Sequence, residues 1–202
     1  MSDRPEVARA WAVAMHGAKL EGGSERQAEA ATATLGKAYR IPGLELEMIQ
    51  VPAGEFLMGS PSSEEGRGDY ETQHKVSITR PYWMGKTEVT QGQWSALMGT
   101  GLRDQAEKSN EYELLLIGGE DNDYPIYYVS WEEAMEFCRK LTDLEDNSGR
   151  LPKGYQYTLP TEAEWEYACL SGTSSALYTG TLVIKGKANG PALDPIAWYV
   201  EN

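Results

Sequence analysis

The sequence predicts an α+β fold, on three observations. The first forty residues repeat apolar side chains at helical spacing. From Leu44 the spacing becomes strand-like, and three later segments each run from an extended stretch into a capped helix start. The expected organisation is an N-terminal helical hairpin over residues 1–43, an arm ahead of a main domain spanning 44–202.

Each element has a local cause. Asp3 and Glu6 have the spacing of a capping pair, and Val7, Ala10, Trp11, Ala14 and Met15 recur at i, i+3, i+4, i+7 and i+8, which predicts a first helix. Gly22-Gly23 interrupts it. Ser24 and Gln27 then supply a second capping pair, and Ala28, Ala31 and Leu35 carry a thin apolar stripe to Gly36. This hairpin is read as packing on its own domain, with a docking arm for a partner as the alternative. Met48, Ile49 and Val51, a Pro52-Ala53-Gly54 turn and Phe56 to Met58 predict a β-hairpin. Polar, glycine-containing Ser60 to Gln73 is a surface loop, and Val76 and Ile78 alternate with polar neighbours in a half-buried strand that Pro81 ends.

The three strand-to-helix units share one device. Thr90/Gln93, Ser130/Glu133 and Thr161/Glu164 have the spacing at which each side chain accepts a hydrogen bond from the other residue's backbone N–H. Val89 and Trp94 are placed to form a hydrophobic staple, with Trp94, Leu97 and Met98 facing inward. Pro125 to Val129 is expected to be a strand with Tyr127 and Tyr128 on opposite faces, feeding a helix whose Ala134, Phe137, Cys138 and Leu141 face the core. Asn147-Ser148-Gly149 ends that helix. Pro160 biases Leu159 towards an extended conformation, and Trp165, Ala168 and Cys169 are predicted to share a buried face of the third helix. Trp83, Trp94, Trp131 and Trp165 are read as core anchors rather than as a carbohydrate or peptide platform. Ser171 to Ser175 is a turn, and Gly180, Gly186 and Gly190 punctuate short extended pieces.

With 41% hydrophobic residues in 202, the chain can bury a core. A net charge of -13 argues against nucleic acid or an anionic membrane surface and favours a protein or peptide partner that is basic or neutral. No run of about 18 apolar residues exists, so no membrane span is expected. No signal-peptide core is evident near the N-terminus, so the expectation is a soluble chain of undetermined compartment. Cys138 and Cys169 form neither a disulfide framework nor a metal motif and are read as core residues, and His16 and His74 lack ligand spacing. Phosphate loops, GxSxG and HExxH are absent. Glu162, Glu164 and Glu166 serve capping and the helix dipole, because their spacing does not set carboxylates face to face. The acidic loop Gly118 to Asp123 invites a calcium reading but lacks the alternating ligand order of an EF-hand.

Four segments together carry a resemblance: Met48 to Ser60 (MIQVPAGEFLMGS), Glu88 to Gln91, Val129 to Trp131, and Leu159 to Tyr167 (LPTEAEWEY). In these the chain resembles the formylglycine-generating enzyme, or sulfatase-modifying factor, family over roughly residues 44–202, with the helical arm outside. The resemblance implies a loop-rich α+β domain with a C-type-lectin-like core, of which this chain carries the N-terminal part. In enzymatic members it implies copper-dependent oxidation of a sulfatase cysteine, within a Cys-x-Pro-x-Arg motif, to formylglycine. A soft thiolate pair suits Cu(I).

The family's catalytic cysteines lie near Gly-Asn-Val-x-Glu-Trp and Arg-Gly-Gly-Ser-Trp segments that this sequence does not contain. No catalytic, cofactor or metal-binding residue is therefore assigned. Copper is expected only for a complete catalytic homologue. The family's calcium sites begin near Ile196 to Asn202, without recognisable ligands here. Cys138 and Cys169 match the family's helix cysteines, some of which form structural disulfides with cysteines further along. The signature residues, Thr90, Gln93, Trp94, Ser130, Trp131, Glu133, Pro160, Thr161, Glu164 and Trp165, are scaffold. The expected function is a non-catalytic protein- or ligand-binding module with a protein or peptide partner, the rest of its own domain being one candidate. The alternatives are the N-terminal part of the oxidase and a variable ligand-binding protein of a diversity-generating retroelement.

Overall fold

A computed structural model describes residues 13–17, 25–64, 66–109, 119–175, 177–180 and 191–192. In chain order their elements are β1 (Ala14–Gly17), α1 (Glu25–Leu35), β2 (Ala38–Ile41), β3 (Leu46–Val51), β4 (Gly54–Met58), β5 (His74–Ile78), β6 (Tyr82–Gly85), α2 (Gln91–Met98), α3 (Leu102–Ser109), α4 (Trp131–Asn147), β7 (Tyr155–Thr158) and α5 (Glu162–Leu170). Helices and antiparallel sheets make this the α+β class. The chain divides into two compact units, Met1–Pro52 with Arg80–Pro160, and Ala53–Thr79 with Thr161–Asn202.

The first unit is built on a five-stranded sheet of order β2-β3-β6-β1-β7, antiparallel at every pairing. Of its inner strands, β1 and β6 are buried on both faces, with Val13, Ala14, Met15, Tyr82 and Trp83 enclosed, while β3 turns Ile49 to the surface. Met15, Met48 and Trp83 join Ile41, Leu46, Trp94, Ile126, Phe137 and Leu141 in one apolar cluster. Trp94 stacks on Phe137 with centroids 5.7 Å apart, tying α2 to α4, and the Trp83 indole N–H donates to the Gly36 carbonyl at 3.1 Å.

The edge strand β7 is closed from one side by a helix. The Tyr157 backbone N–H donates to Thr142 Oγ1 at 2.9 Å, and that hydroxyl donates to the Cys138 carbonyl at 2.9 Å. Nearby, the Tyr39 and Tyr157 hydroxyls share a 2.5 Å hydrogen bond, and burial pushes both phenols upward. Glu145, 1% exposed, is gripped by Arg150 at 2.5 Å (Nη2) and 3.1 Å (Nε).

The second unit pairs β4 with β5 in a two-stranded sheet and packs α5 on β4. A lone hairpin is marginal in water, so the helix is what gives this sheet a covered face.

Several expectations change. Ala14 and Met15, placed on a helix by their spacing, lie in β1, because a short apolar run buried on both faces satisfies helical and strand periods alike. The helical hairpin therefore does not form over 14–17, and only α1 is helical among the described residues of 1–43. β1 and β2 are sheet strands, not an arm. The expected hairpin between β3 and β4 is replaced by pairings of β3 with β2 and β6 and of β4 with β5. Tyr127 and Tyr128 are not on a strand. Tyr128 has φ 60, which breaks the two-residue alternation and brings the two rings to 4.8 Å. Asp3 to Trp11, Ser24, Gly118, Gly186, Gly190 and Ile196 to Asn202 lie outside the described residues.

Candidate functional site

The three capped corners are where signature residues meet loops. At α2, Thr90 Oγ1 accepts from the Gln93 N–H at 3.2 Å and Gln93 Oε1 accepts from the Thr90 N–H at 3.0 Å. Buried Gln91 then reaches across. Its amide nitrogen donates to the carbonyls of Gly119 and Pro125 at 3.2 and 3.3 Å, and its Oε1 accepts from the Asp121 N–H at 3.2 Å. The Gln91 and Gly92 N–H groups donate to the Tyr124 and Asn122 carbonyls. Residues 119–125, the acidic loop, are thus held by one glutamine and the first turn of α2. A Cβ on Gly92 would sit 3.0 Å from the Asn122 carbonyl oxygen, so the close approach needs glycine there.

An open groove of about 660 Å³ lies along this corner, bordered by Arg40, Glu45, Ser95, Asn122 and Asp123. The N–H groups of residues 91–94 are all spent on acceptors, so the helix start offers no free donors to an anion there.

At α4, Ser130 and Glu133 form the same reciprocal pair at 3.2 and 3.0 Å. Burial pushes the Glu133 carboxyl up, but the Ser130 N–H, Lys108 and Gln105 outweigh it and hold it below the usual carboxylate range. Trp131, expected in the core, is 66% exposed: it stands at the first position of α4, one turn before Ala134, where burial on that helix begins.

At α5, in the second unit, Thr161 Oγ1 accepts from the Glu164 N–H at 3.3 Å and Glu164 Oε2 accepts from the Thr161 N–H at 2.8 Å. The inward contacts of α5 are made by Glu166 and Tyr167; of the residues expected to share a buried face, Ala168 is half-buried but Trp165 and Cys169 are exposed. Two contacts decide this. Glu166 Oε1 accepts from the Gly59 N–H at 2.8 Å, and the Tyr167 ring lies 5.3 Å from Phe56 with its hydroxyl over Gly54, where a Cβ would be 2.3 Å away. Trp165 is consequently 49% exposed and Cys169 is exposed. Pro160 sits just before the cap, half-buried. The segments MIQVPAGEFLMGS and LPTEAEWEY therefore interlock, as a helix clamped to a strand.

Neither cysteine is in a disulfide. Cys138 is fully buried and burial pushes its thiol up to about 12. His16 stacks on Tyr82 at 5.5 Å, and His74 is exposed with Nδ1 3.0 Å from the Thr72 carbonyl. Among the described residues no three His, Cys, Asp or Glu side chains converge as a metal-binding group. No helix among them is long and apolar enough to cross a membrane. Sequence reasoning missed Gln91, Glu166 and Glu145. The signal for Gln91 was its position beside the capping Thr90; Glu166, read as serving the cap and the helix dipole, instead accepts from the Gly59 N–H.

Residues 34–197 match the family described as sulfatase-modifying factor enzyme 1-like domain. The chain belongs to that family. The match begins inside the segment assigned to the arm. Among curated relatives, a Streptomyces coelicolor protein named formylglycine-generating enzyme is 27% identical over 186 residues, covering 74% of this chain and 54% of that protein. A Paenibacillus barcinonensis protein named chaperone protein LppX is 29% identical over 146 residues, covering 60% of this chain and 45% of that one. The solved structure of PvdO from Pseudomonas aeruginosa shares the fold, with a TM-score of 0.50 and 21% identity over 69% of this chain and 53% of PvdO. The chain thus spans about half the length of the relatives it matches.

Proposed function

We propose that this sulfatase-modifying-factor domain acts as a non-catalytic protein- or ligand-binding module. The observation that carries the reading is the state of its cysteines. The whole sequence has two. A Cu(I) site of the family's kind needs a pair of thiolates, and Cys138, enclosed in the core with its thiol raised to about 12, stays protonated at neutral pH. The two cysteines do not fit a copper dithiolate, so no oxidative step is derived from them. That one relative is named a chaperone protein supports a protein as the bound partner.

A second reading, the N-terminal part of a formylglycine-generating oxidase, is favoured by the name of the Streptomyces relative and the half-length match. The test is incubation with copper, oxygen and a Cys-x-Pro-x-Arg peptide, followed by mass spectrometry. No formylglycine is expected from this chain alone, and turnover would overturn the non-catalytic reading. Under the second reading, adding the part of the Streptomyces relative that lies outside the match produces turnover.

A further inference from the structure

We propose that Tyr39 and Tyr157 form a clasp that makes the two outer strands of the five-stranded sheet, β2 and β7, open as one unit. The backbone ladders keep these strands apart: β2 pairs with β3 and β7 with β1, at opposite ends of the order β2-β3-β6-β1-β7. In a flat sheet of that order they would stand roughly 19 Å apart with their side chains parallel, beyond the reach of two tyrosines. Their hydroxyls nevertheless meet at 2.5 Å. The sheet is therefore coiled enough for one side chain from each edge to converge over the strands between them, where Tyr39 reaches Met15 on β1.

The hydrogen bonds run in one direction. A tyrosine hydroxyl has one proton, and that of Tyr39 goes to the Met15 sulfur at 3.4 Å, so the 2.5 Å bond is donated by Tyr157 and accepted by Tyr39. Tyr157 and Met15 are both buried, so pulling away either edge strand breaks a hydroxyl contact where water does not readily replace it. Fraying of β2 orphans the Tyr157 hydroxyl, and release of β7 takes away the proton that Tyr39 accepts. Burial holds both phenols above their ordinary value, so the pair stays neutral near pH 7. Edge strands that would otherwise fray separately are tied to each other through their side chains.

Native-state hydrogen exchange of the whole chain, followed strand by strand by NMR, tests the coupling. Thr142→Val loosens β7, since the Thr142 hydroxyl accepts the Tyr157 N–H. It should speed exchange about tenfold at β7 and by a similar factor at β2, more than at β3 and β6, which lie between them in the sheet. In a Tyr157→Phe background the clasp is cut while Tyr39 keeps Met15, and there Thr142→Val should speed β7 and leave β2 unchanged. Tyr39→Phe cuts the same clasp and strands the Tyr157 hydroxyl, so it should uncouple the two strands likewise and speed β7 more than Tyr157→Phe does. Unchanged β2 rates in Thr142→Val, or a β2 response that survives both phenylalanine variants, would overturn the clasp. Equal acceleration of all strands in Thr142→Val, the signature of global unfolding alone, would overturn it as well.

Discussion

Thr142 is the place where removing one oxygen atom should cost the most for the smallest change in shape. Its hydroxyl accepts the Tyr157 N–H at 2.9 Å while donating to the Cys138 carbonyl, so α4 satisfies a backbone donor on the outer side of β7. Thr142→Val keeps the volume and has nearly the same helix propensity, which leaves the lost acceptor as the main difference. Tyr157 is 4% exposed, and water does not readily replace the missing partner. An unsatisfied buried N–H costs about 1–3 kcal/mol. For a chain of this size that corresponds to a fall in Tm of roughly 2–4 °C per kcal/mol. Thr142→Ser keeps the oxygen and loses one methyl, about 0.8 kcal/mol at full burial. Urea unfolding followed by circular dichroism should rank wild type, then Ser, then Val, with the m-value constant. A Val variant as stable as the Ser variant would show that the Thr142 hydroxyl is not what closes this edge.

Three further outcomes follow from the geometry. Thr161→Ala should lower stability by about 1 kcal/mol through loss of the α5 cap, and an unchanged denaturation midpoint would remove Thr161 from that role. Gly54→Ala should cost about 1–3 kcal/mol by driving a methyl into the Tyr167 hydroxyl, and Tyr167→Phe should recover part of it in the double variant but not alone; additive losses in a double-mutant cycle would refute the clash. Iodoacetamide at pH 8 should label Cys169 and spare Cys138 until denaturant is added. The raised Cys138 thiol contributes stability that is full below its ordinary value of 9.0 and is lost as pH rises towards about 12, so Cys138→Ala should flatten that part of the stability profile measured by urea titration.

What could be read from sequence was what adjacent residues settle among themselves. The starts of α2, α4 and α5 depend on residues three apart, and the ends of α4 on Ser148 and Gly149, so capping chemistry located them. The inward face of α5 was not legible, because it is chosen by Gly54, Phe56 and Gly59, about a hundred residues away. Trp165 looked like an anchor by residue type and by its helical spacing with Ala168 and Cys169. Tyr128 defeated a period-two reading through a single left-handed backbone angle, and the Tyr127–Tyr128 contact follows from that angle. α3 was missed because Leu102–Ser109 has only Leu102, Gln105 and Ala106 buried, and one of these is a glutamine. The family resemblance came from segments whose contacts are now visible as a clamp and a latch, which explains why it predicted the fold better than any chemistry.

The position of β1 between β6 and β7 has a consequence for the order in which this sheet can assemble. Ala14 pairs with Met84 on one side and Thr158 on the other, so this four-residue strand closes only with partners about 70 and 140 residues later. Such long-range closure raises contact order and slows folding. Until β7 is made, Val13, Ala14 and Met15 are an apolar segment with an open edge, and a chaperone that shields extended apolar strands would find its target there rather than in the helices. Among the described residues β1 is the one sheet neighbour of β7, so deleting residues 13–17 would remove it.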